Sequence, residues 1–326
     1  MNLIRIGIIG CADIAKRHII PAILNLNNKY IISGIASRAE SKASDFSSKF
    51  NIPHYVGYQS LINKKDLDAI YIPLPNSMHF EWVEKSLLKG LHVLVEKSMA
   101  CNFKDVKYLN DLAKKKNLIL IENFQFRFHR QINTITKLIN NQFIGELRCL
   151  KSYFGFPPFK NKNNIRYKTQ LGGGALLDAG SYPIKISQIF LGLDIYISSS
   201  NLQIDKKRNI DIWGGAYIQQ IKGQKFGIIS FGFDNYYQCN LELWGSKGKI
   251  SAERIFTSPP GEEAKILIEN SNGKKVLTIK SDNHFENILK HFFNLILKKE
   301  NSVKEYMQNI NQAKLIEELR KKAKIN

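Results

Sequence analysis

Through the first 124 residues, short β-branched apolar runs alternate with amphipathic stretches. The runs predict strands at Leu3–Gly10, Tyr30–Ser37, His54–Tyr58, Leu67–Pro75, Leu91–Lys97 and Leu118–Phe124, because apolar runs of this length bounded by turn residues fit half-buried or fully buried strands. Helices are predicted near residues 13–27, 40–50, 79–89 and 102–116. Pro21 lacks an N–H and is expected to break the first of these into two pieces. The alternation is the rhythm of βαβ units around a parallel sheet, and DAIYIPL and HVLVE are apolar enough for a sheet covered on both faces.

After about Gly145 the rhythm changes to longer alternating runs at 147–156, 195–204, 211–221, 224–234, 237–245, 248–252, 265–270 and 274–279. KGQK, GSKGK and SNGKK read as hairpin turns between them, so a mostly antiparallel sheet is predicted. Helices are predicted near 183–191, 284–299 and 303–324. In the last, Met307, Ile310, Ala313, Leu315, Ile316 and Leu319 form an apolar stripe that docks on a domain. The fold class is therefore α/β plus α+β: a doubly wound parallel sheet over residues 1–124, then a second domain over 125–326 whose C-terminal helix is free to pack back on the first. FPPFKNKNNIRYKTQLGGG at 156–174 is one long irregular loop, of a kind that often carries function.

Composition narrows the partners. The 326 residues allow two domains, and 44% hydrophobic with 23% charged residues exclude disordered and fibrous classes. Lys and Arg total 48 against 28 Asp and Glu, a net charge of +20 that favours anionic partners, phosphorylated small molecules among them. The basic residues are scattered and match no nucleic-acid-binding motif, so no nucleic-acid partner is expected. Cys11, Cys101, Cys149 and Cys239 stand alone, which predicts reduced thiols in a cytoplasmic protein and no metal. MNLIRIGIIG lacks the layout of a signal peptide, and no run of 18 apolar residues occurs, so no membrane partner is expected either.

Strand 1 runs into GIIGCADIA, where Gly10, Cys11, Ala12, Asp13, Ile14 and Ala15 occupy the G-x-G-x-x-G/A register with Ala12 in place of the second glycine. Gly10 permits the tight turn, Ala15 lets helix and strand approach, and the helix N-terminus aims free N–H groups at a pyrophosphate. With a strand before it and a helix after it, the motif reads as a dinucleotide site. At the end of strand 2, where NAD enzymes place a carboxylate for the ribose 2′-hydroxyl, the chain has Ala36-Ser37-Arg38 followed by Lys42. A hydroxyl and a guanidinium suit a 2′-phosphate, so NADP(H) is predicted over NAD(H).

Ligands of open α/β sheets sit beyond the carboxyl ends of the strands. That makes Pro73, Leu74 and Asn76, His79 in the following helix, Glu96, Lys97 and Asn123 candidate contacts. A lysine directly after LHVLV is partly desolvated and tunable, the alternative being a surface ion pair that closes the strand. In the second half, Gly172, Gly173 and Gly174 allow close backbone approach to a ligand. Asp178 and Tyr182 add a carboxylate and a phenol ahead of an apolar helix that Pro183 starts near Ser181. A glycine-rich hinge with a buried tyrosine is the alternative there.

Together these residues resemble the Gfo/Idh/MocA oxidoreductase family. GIIGCADIA looks like its Rossmann turn, Glu96-Lys97-Ser98 like its EKP motif, and Asp178-Ala179-Gly180-Ser181-Tyr182 like its D-x-x-x-H or D-x-x-x-Y segment. Within the family, GCADIA, YIPLPNSMHFEW, ENFQFRF, NIRY, LGGGALLDAGSYP and ERIFTSPP are most similar to nucleotide-sugar 3-ketoreductases of deoxysugar biosynthesis. The resemblance implies a Rossmann domain followed by a substrate-binding, oligomerising domain with an open-faced sheet, and a homodimer or homotetramer through that sheet. It implies NADPH-dependent reduction of a keto group on a nucleotide-linked sugar. Lys97 then matches the active-site lysine, Tyr182 the proton donor and Asp178 the substrate-side aspartate. Asn123, Arg127 and Arg166 are expected on the substrate, the arginines with Lys168 at its pyrophosphate. Ser98 departs from the family's usual proline. Two readings stay open beside this one: an NADP-dependent pyranose or trans-dihydrodiol dehydrogenase acting on free sugars or diols, and a non-catalytic NADP-binding regulator. Arg38→Ala is expected to weaken NADPH binding more than NADH binding when both are titrated; equal weakening removes the case for a 2′-phosphate.

Overall fold

The computed structural model describes residues 3–298 and 302–325. Its first unit holds the residues up to Asn123 together with Phe285–Ile310; its second holds Phe124–His284 and the residues from Asn311 onward. In the first, six strands pair in parallel: β1 (Ile4–Ile9), β2 (Tyr30–Ser37), β3 (His54–Val56), β4 (Ala69–Ile72), β5 (His92–Val95) and β6 (Leu120–Glu122). Their order is β3-β2-β1-β4-β5-β6. It reverses between β1 and β4, the switch point where such sheets bind ligands. Every residue of β4 is buried, as is all of β1 except Arg5, which is what continuous apolar strands in a two-sided sheet require.

Among these strands run α1 (Ile20–Asn25), α2 (Glu40–Phe50), α3 (Tyr58–Ile62), α4 (Asn76–Leu88) and α5 (Phe103–Lys115). The first predicted helix is in two pieces that meet beside Pro21. A wide π-type turn over Ala15–Ile19, closed by the Ile20 N–H on the Ala15 carbonyl, leads directly into α1, and Pro21 falls in the first turn of α1. The extra residue in that turn shifts the hydrogen bonding, so the proline's missing donor lands where the α-helix restarts. The short α3 is also new relative to the sequence pattern. Gly57, at φ +79°, ends the third strand early and turns the chain into it.

The second unit adds α6 (Arg130–Asn140), β7 (Leu147–Gly155), α7 (Ser181–Leu191), β8 (Ile195–Asp205), β9 (Ile210–Gln220), β10 (Phe226–Gly232), β11 (Gln238–Gly245), β12 (Gly248–Glu253), β13 (Ala264–Asn270) and β14 (Gly273–Ile279). The chain ends with α8 (His284–Lys298), α9 (Val303–Lys322) and β15 (Ala323–Ile325). The nine-stranded sheet runs β14-β13-β12-β11-β7-β10-β9-β8-β15. It is antiparallel except where β7 meets β10 and β8 meets β15. The predicted turns close the hairpins β9–β10, β11–β12 and β13–β14. Neither α6 nor β15 was expected. The last helix stops at Lys322 rather than 324 because Ala323–Ile325 pair with β8, and the expected end of α8 at 299 lies outside the described residues.

The segment 285–310 belongs with the first unit because its contacts there are specific. Tyr30 donates its hydroxyl to the Leu289 carbonyl at 2.6 Å, and His18 stacks on Phe285 at 4.4 Å. Tyr306 donates to the Leu118 carbonyl at 2.5 Å, while the Asn309 amide donates to Asn110 Oδ1 at 3.0 Å and to the Leu120 carbonyl at 3.1 Å. In the second unit α7 lies against β7 and β10 on one face of the sheet. The other face stays open, with Trp213, Ile228 and Trp244 exposed and a ladder of charges, Lys151–Glu242–Lys249–Glu269–Lys274, crossing it.

Docking of α7 depends on Gly180. A Cβ there would lie 2.9 Å from the ring of Phe231, itself 1% exposed. Alanine gains about 1 kcal/mol in helix propensity, but overpacking a rigid buried ring costs roughly 1–3 kcal/mol. Gly180→Ala is expected to lower the midpoint of chemical unfolding; an unchanged or higher midpoint would mean that Phe231 gives way.

Candidate active site

The carboxyl edge of the parallel sheet gathers the candidates of the first unit. Gly10 follows β1 at φ +124°, where a side chain is strained, and a Cβ would stand 2.8 Å from Leu74 Cδ2 and 3.3 Å from the Pro73 carbonyl. Gly10 N–H donates to the Ala36 carbonyl at 2.9 Å, and Lys16 N–H reaches the Ala12 carbonyl at 3.0 Å. Helical turns thus begin directly after the glycine, with no side chain capping the π-type turn, the arrangement that leaves N–H groups for a phosphate. Cys11 Sγ donates to the Lys42 carbonyl at 3.4 Å, and burial raises its pKa, so it stays a thiol. Asp13 pairs with Arg17 at 2.6 Å on the surface, and Ile14 is half-buried. Beyond β2, Ser37 is buried with Oγ accepting from Ala39 N–H at 3.2 Å. The exposed Arg38 guanidinium stands beside the Tyr58 hydroxyl.

Three strand ends share one carboxylate. Glu96 Oε1 accepts the Tyr71 hydroxyl at 2.7 Å and the Asn123 amide at 2.5 Å. Burial raises the Glu96 pKa, these donors lower it, and Tyr71 is pushed well above its usual value by burial and by the Glu96 charge. Asn123 is fully buried, and its Oδ1 has no hydrogen-bond partner among the described residues. An orphaned acceptor at this edge fits a ligand that donates, such as a carboxamide or a sugar hydroxyl.

The lysine turn is fastened on its far side as well. The Lys97–Ser98 peptide bond is cis. Ser98 N–H donates to Asn76 Oδ1 at 3.1 Å, and Met99 N–H donates to Glu122 Oε1 at 3.0 Å. His79, expected at the cofactor, is fully buried, with Nδ1 2.7 Å from the Ser98 carbonyl and Nε2 2.7 Å from the Leu74 carbonyl. Its ring joins the loop over Gly10 to the lysine turn instead of facing a ligand. Two carbonyls favour the doubly protonated ring; full burial, with the nearby Lys97 charge, opposes it more strongly and takes the pKa down to about 4.

In the second unit, Asp178 and Tyr182 stand four residues apart on a second π-type turn, Leu176–Gly180, that runs into α7. Arg166 Nε donates to Asp178 Oδ2 at 2.6 Å, and the Asp178 charge holds the guanidinium pKa above its ordinary value. Arg127 lies in a 3₁₀ turn, 5.0 Å over the ring of Phe128. The Tyr182 ring is surrounded by Phe124 at 5.6 Å, Phe126 at 5.8 Å, Phe154 at 5.0 Å and Phe256 at 5.4 Å. Gly173 and Gly174, read as room for a ligand, make close contacts within the protein. Gly173 and Gly174 donate to the Lys168 and Arg166 carbonyls, and Gly174, at φ +112°, makes room for Asp211, whose carboxylate accepts from Leu176 N–H.

Sequence reasoning missed Asp211, Tyr71 and the phenylalanine box. For Tyr71 a signal existed, a hydroxyl inside an otherwise apolar central strand; Asp211 lies 35 residues from the turn it caps and gave none. Among the described residues no helix is long and apolar enough to cross a membrane, and no group of three His, Cys, Asp or Glu side chains could hold a metal.

A 3-2-1-4-5-6 parallel sheet with a glycine turn at its switch point, joined to a mixed and mostly antiparallel sheet, defines a two-domain dinucleotide-binding oxidoreductase. The chain belongs to the Gfo/Idh/MocA family. The model of its oxidoreductase, NAD-binding Rossmann-fold domain matches residues 4–124, and that of the GFO/IDH/MocA C-terminal domain matches 132–251. A dTDP-3,4-didehydro-2,6-dideoxy-alpha-D-glucose 3-reductase of Saccharopolyspora spinosa is 38% identical over 266 residues, covering 82% of this chain and 79% of its own. A D-xylose 1-dehydrogenase (NADP(+)) of Haloferax volcanii is 33% identical over 263 residues, covering 80% of this chain and 79% of its own. The crystal structure of a 3-ketoreductase from Actinomadura kijaniata, in complex with NADP and TDP-benzene, superposes with a TM-score of 0.95 at 32% identity over 99% of both chains.

The buried imidazole makes stability pH-dependent. His79 titrates at about 4 when folded and at its ordinary 6.5 when unfolded, so unfolding takes up a proton between those values and stability falls as the pH drops through that window. The loss approaches roughly 3 kcal/mol at the low end. His79→Gln is expected to flatten that part of the pH–stability curve in denaturant titrations; an unchanged slope would mean the native ring is already protonated.

Proposed function

We propose that the protein is an NADPH-dependent reductase of a keto group on a nucleotide-linked sugar, with Lys97 and Tyr182 serving the same substrate oxygen. The observation that carries this reading is the Asp178-to-Tyr182 segment, with its phenol in an aromatic box and its carboxylate paired to Arg166, in a chain 38% identical to a dTDP-sugar 3-reductase. The glycine turn at Gly10, the open N–H groups that follow and the Ser37–Arg38 pair beyond β2 would hold a dinucleotide bearing a 2′-phosphate. Pro73, Leu74 and Asn76 frame the same edge. Asn123 Oδ1 would accept from the carboxamide or from a sugar hydroxyl.

Reduced nicotinamide supplies a hydride to the carbonyl carbon when bound. Tyr182 gives its phenolic proton to the carbonyl oxygen, which leaves as the alcohol, and the phenolate is reprotonated from water. Lys97 stabilises the charge that develops on that oxygen and makes the phenol a better acid. Arg127, Arg166 and Lys168 are the groups for the substrate's pyrophosphate, and the net charge of +20 favours such an anion. The exposed face bearing Trp213, Ile228 and Trp244 suits a second copy of the chain, giving a homodimer or homotetramer.

A second reading, oxidation of a free sugar, is favoured by the 33% identity to a xylose dehydrogenase. Assays with a dTDP-linked 3-keto sugar beside free xylose and glucose separate the two. Tyr182→Phe is expected to lose turnover by about 10²–10⁴-fold with NADPH affinity kept; undiminished turnover would reassign the acid.

A further inference from the structure

β12 ends at Glu253, and the chain turns at Arg254 with φ +48°. The other non-glycine residues at positive φ among the described residues are all Asn or Gln. A non-glycine residue in that conformation is uncommon, and such outliers cluster at active sites and ligand clamps. The turn is closed by Thr257 N–H on the Arg254 carbonyl at 3.1 Å and by Ile255 N–H on the Cys239 carbonyl at 3.2 Å. It buries Ile255 and Phe256 and leaves Arg254 exposed. Among the described residues no carboxylate pairs with the Arg254 guanidinium, whose Nη2 folds back on the Thr257 carbonyl at 3.4 Å.

Two tyrosines stand at the same end of the sheet. β11 pairs with β12 so that Asn240 faces Glu253, which sets Tyr237, just before β11, beside the turn. The Tyr237 hydroxyl lies 3.0 Å from Thr257 Oγ1, and the residue is 42% exposed. Tyr236 before it is 87% exposed, more than any other large hydrophobic residue described. The turn also reaches the phenol: the ring of Phe256 lies 5.4 Å from that of Tyr182 and 5.4 Å from that of Phe154. An unpaired cation and open aromatic rings therefore border the box around Tyr182, all within the second unit.

A nucleotide-linked sugar is a long ligand, because its ribose and two phosphates hold the base well away from the carbonyl carbon. With the ketone at Tyr182, the base falls at the rim of the aromatic box and not inside it. A pyrimidine offers there a π-face that stacks on an exposed tyrosine and ring carbonyls that accept from a guanidinium. We propose that Arg254 and Tyr236, with Tyr237 beside them, form the nucleobase end of the substrate site, the guanidinium donating to a base carbonyl and the Tyr236 ring stacking on the base. The inference rests on the substrate being nucleotide-linked. A free sugar has no group for either residue, so the same pair selects between the two substrate classes.

The test measures binding by calorimetry on the full-length protein saturated with NADPH, using thymidine 5′-diphosphate and, by displacement of it, inorganic pyrophosphate. Arg254→Asn keeps the left-handed backbone, which Asn tolerates. It is expected to weaken the diphosphate nucleotide about tenfold, the loss of one charge-assisted hydrogen bond. Tyr236→Ala is expected to weaken it about tenfold as well, and Tyr236→Phe to leave it unchanged. Pyrophosphate binds the native protein and every variant alike. Unchanged nucleotide affinity in either Arg254→Asn or Tyr236→Ala overturns the proposal. So does an equal loss for nucleotide and pyrophosphate in Arg254→Asn, which makes Arg254 a phosphate contact. If Arg254→Asn does not fold, Arg254→Lys decides by the same two readings, since it keeps the charge and loses the planar fork. A native protein that reduces a free keto sugar and does not bind thymidine 5′-diphosphate would instead remove the nucleotide-linked reading itself, a result read without any variant.

Discussion

A carboxylate enclosed at the edge of a parallel sheet keeps its charge only if donors surround it. Glu96 meets that demand by taking the hydroxyl of Tyr71 from β4 and the amide of Asn123 from the end of β6 on one oxygen. Three neighbouring strand ends are thereby tied to the residue immediately before Lys97. On the other side of the lysine, Ser98 offers its carbonyl to His79 and its N–H to Asn76. A proline in that position, usual in the family, could not make the second bond. The departure from the EKP motif therefore adds a tether where the motif has none, and the lysine backbone is held from both directions.

The second unit holds its phenol by a different device. Asp211 reaches from β9 to the start of the turn that carries Asp178 and Tyr182, accepting from Leu176 N–H. Burial raises the Asp211 pKa, while the N–H groups of Leu176 and Ala175 pull it back. A side chain at Gly174 would occupy the space of that carboxylate. Gly173 and Gly174 also fold the preceding loop back by donating to the Lys168 and Arg166 carbonyls, which brings the Arg166 side chain onto Asp178. Gly173 and Gly174 thus serve contact between protein segments, and the geometry of Asp178 follows from them.

Local patterns carried most of the fold. The six parallel strands, the glycine turn after β1 and the three hairpins are written in runs of fewer than a dozen residues, where periodicity and turn chemistry decide the outcome. What escaped depends on distant partners. A π-type turn precedes both the helix that carries Pro21 and the helix that carries Pro183, and neither turn is legible in the local pattern. The C-terminal helix read as an amphipathic segment that docks on a domain; the hydrogen bonds of Tyr306 and Asn309 to main-chain carbonyls and Asn110 assign its first half to the first unit, and no periodicity encodes them. At the site, the residue types were legible and their duties were not. His79 and Glu96 were read as ligand contacts; their side chains also hold the backbone around the lysine, a duty no local pattern encodes.

This division of labour has an electrostatic logic. A group that must give up a proton at neutral pH needs its anion stabilised, and an aromatic enclosure does the opposite. The Arg166 guanidinium lies near enough to act on the phenol, and its ion pair with Asp178 offsets part of that field. Ammonium groups remain, and an ammonium is useful only if it is fixed before the charge develops, since reorienting it during the reaction would consume the stabilisation it provides. The backbone of Lys97 is fixed by the donors that meet on Glu96 and by the bonds of Ser98. The rigidity of that backbone lies in hydrogen bonds between protein groups, from Tyr71 and Asn123 to Glu96 and from Ser98 to Asn76 and His79, so it is set before any ligand arrives.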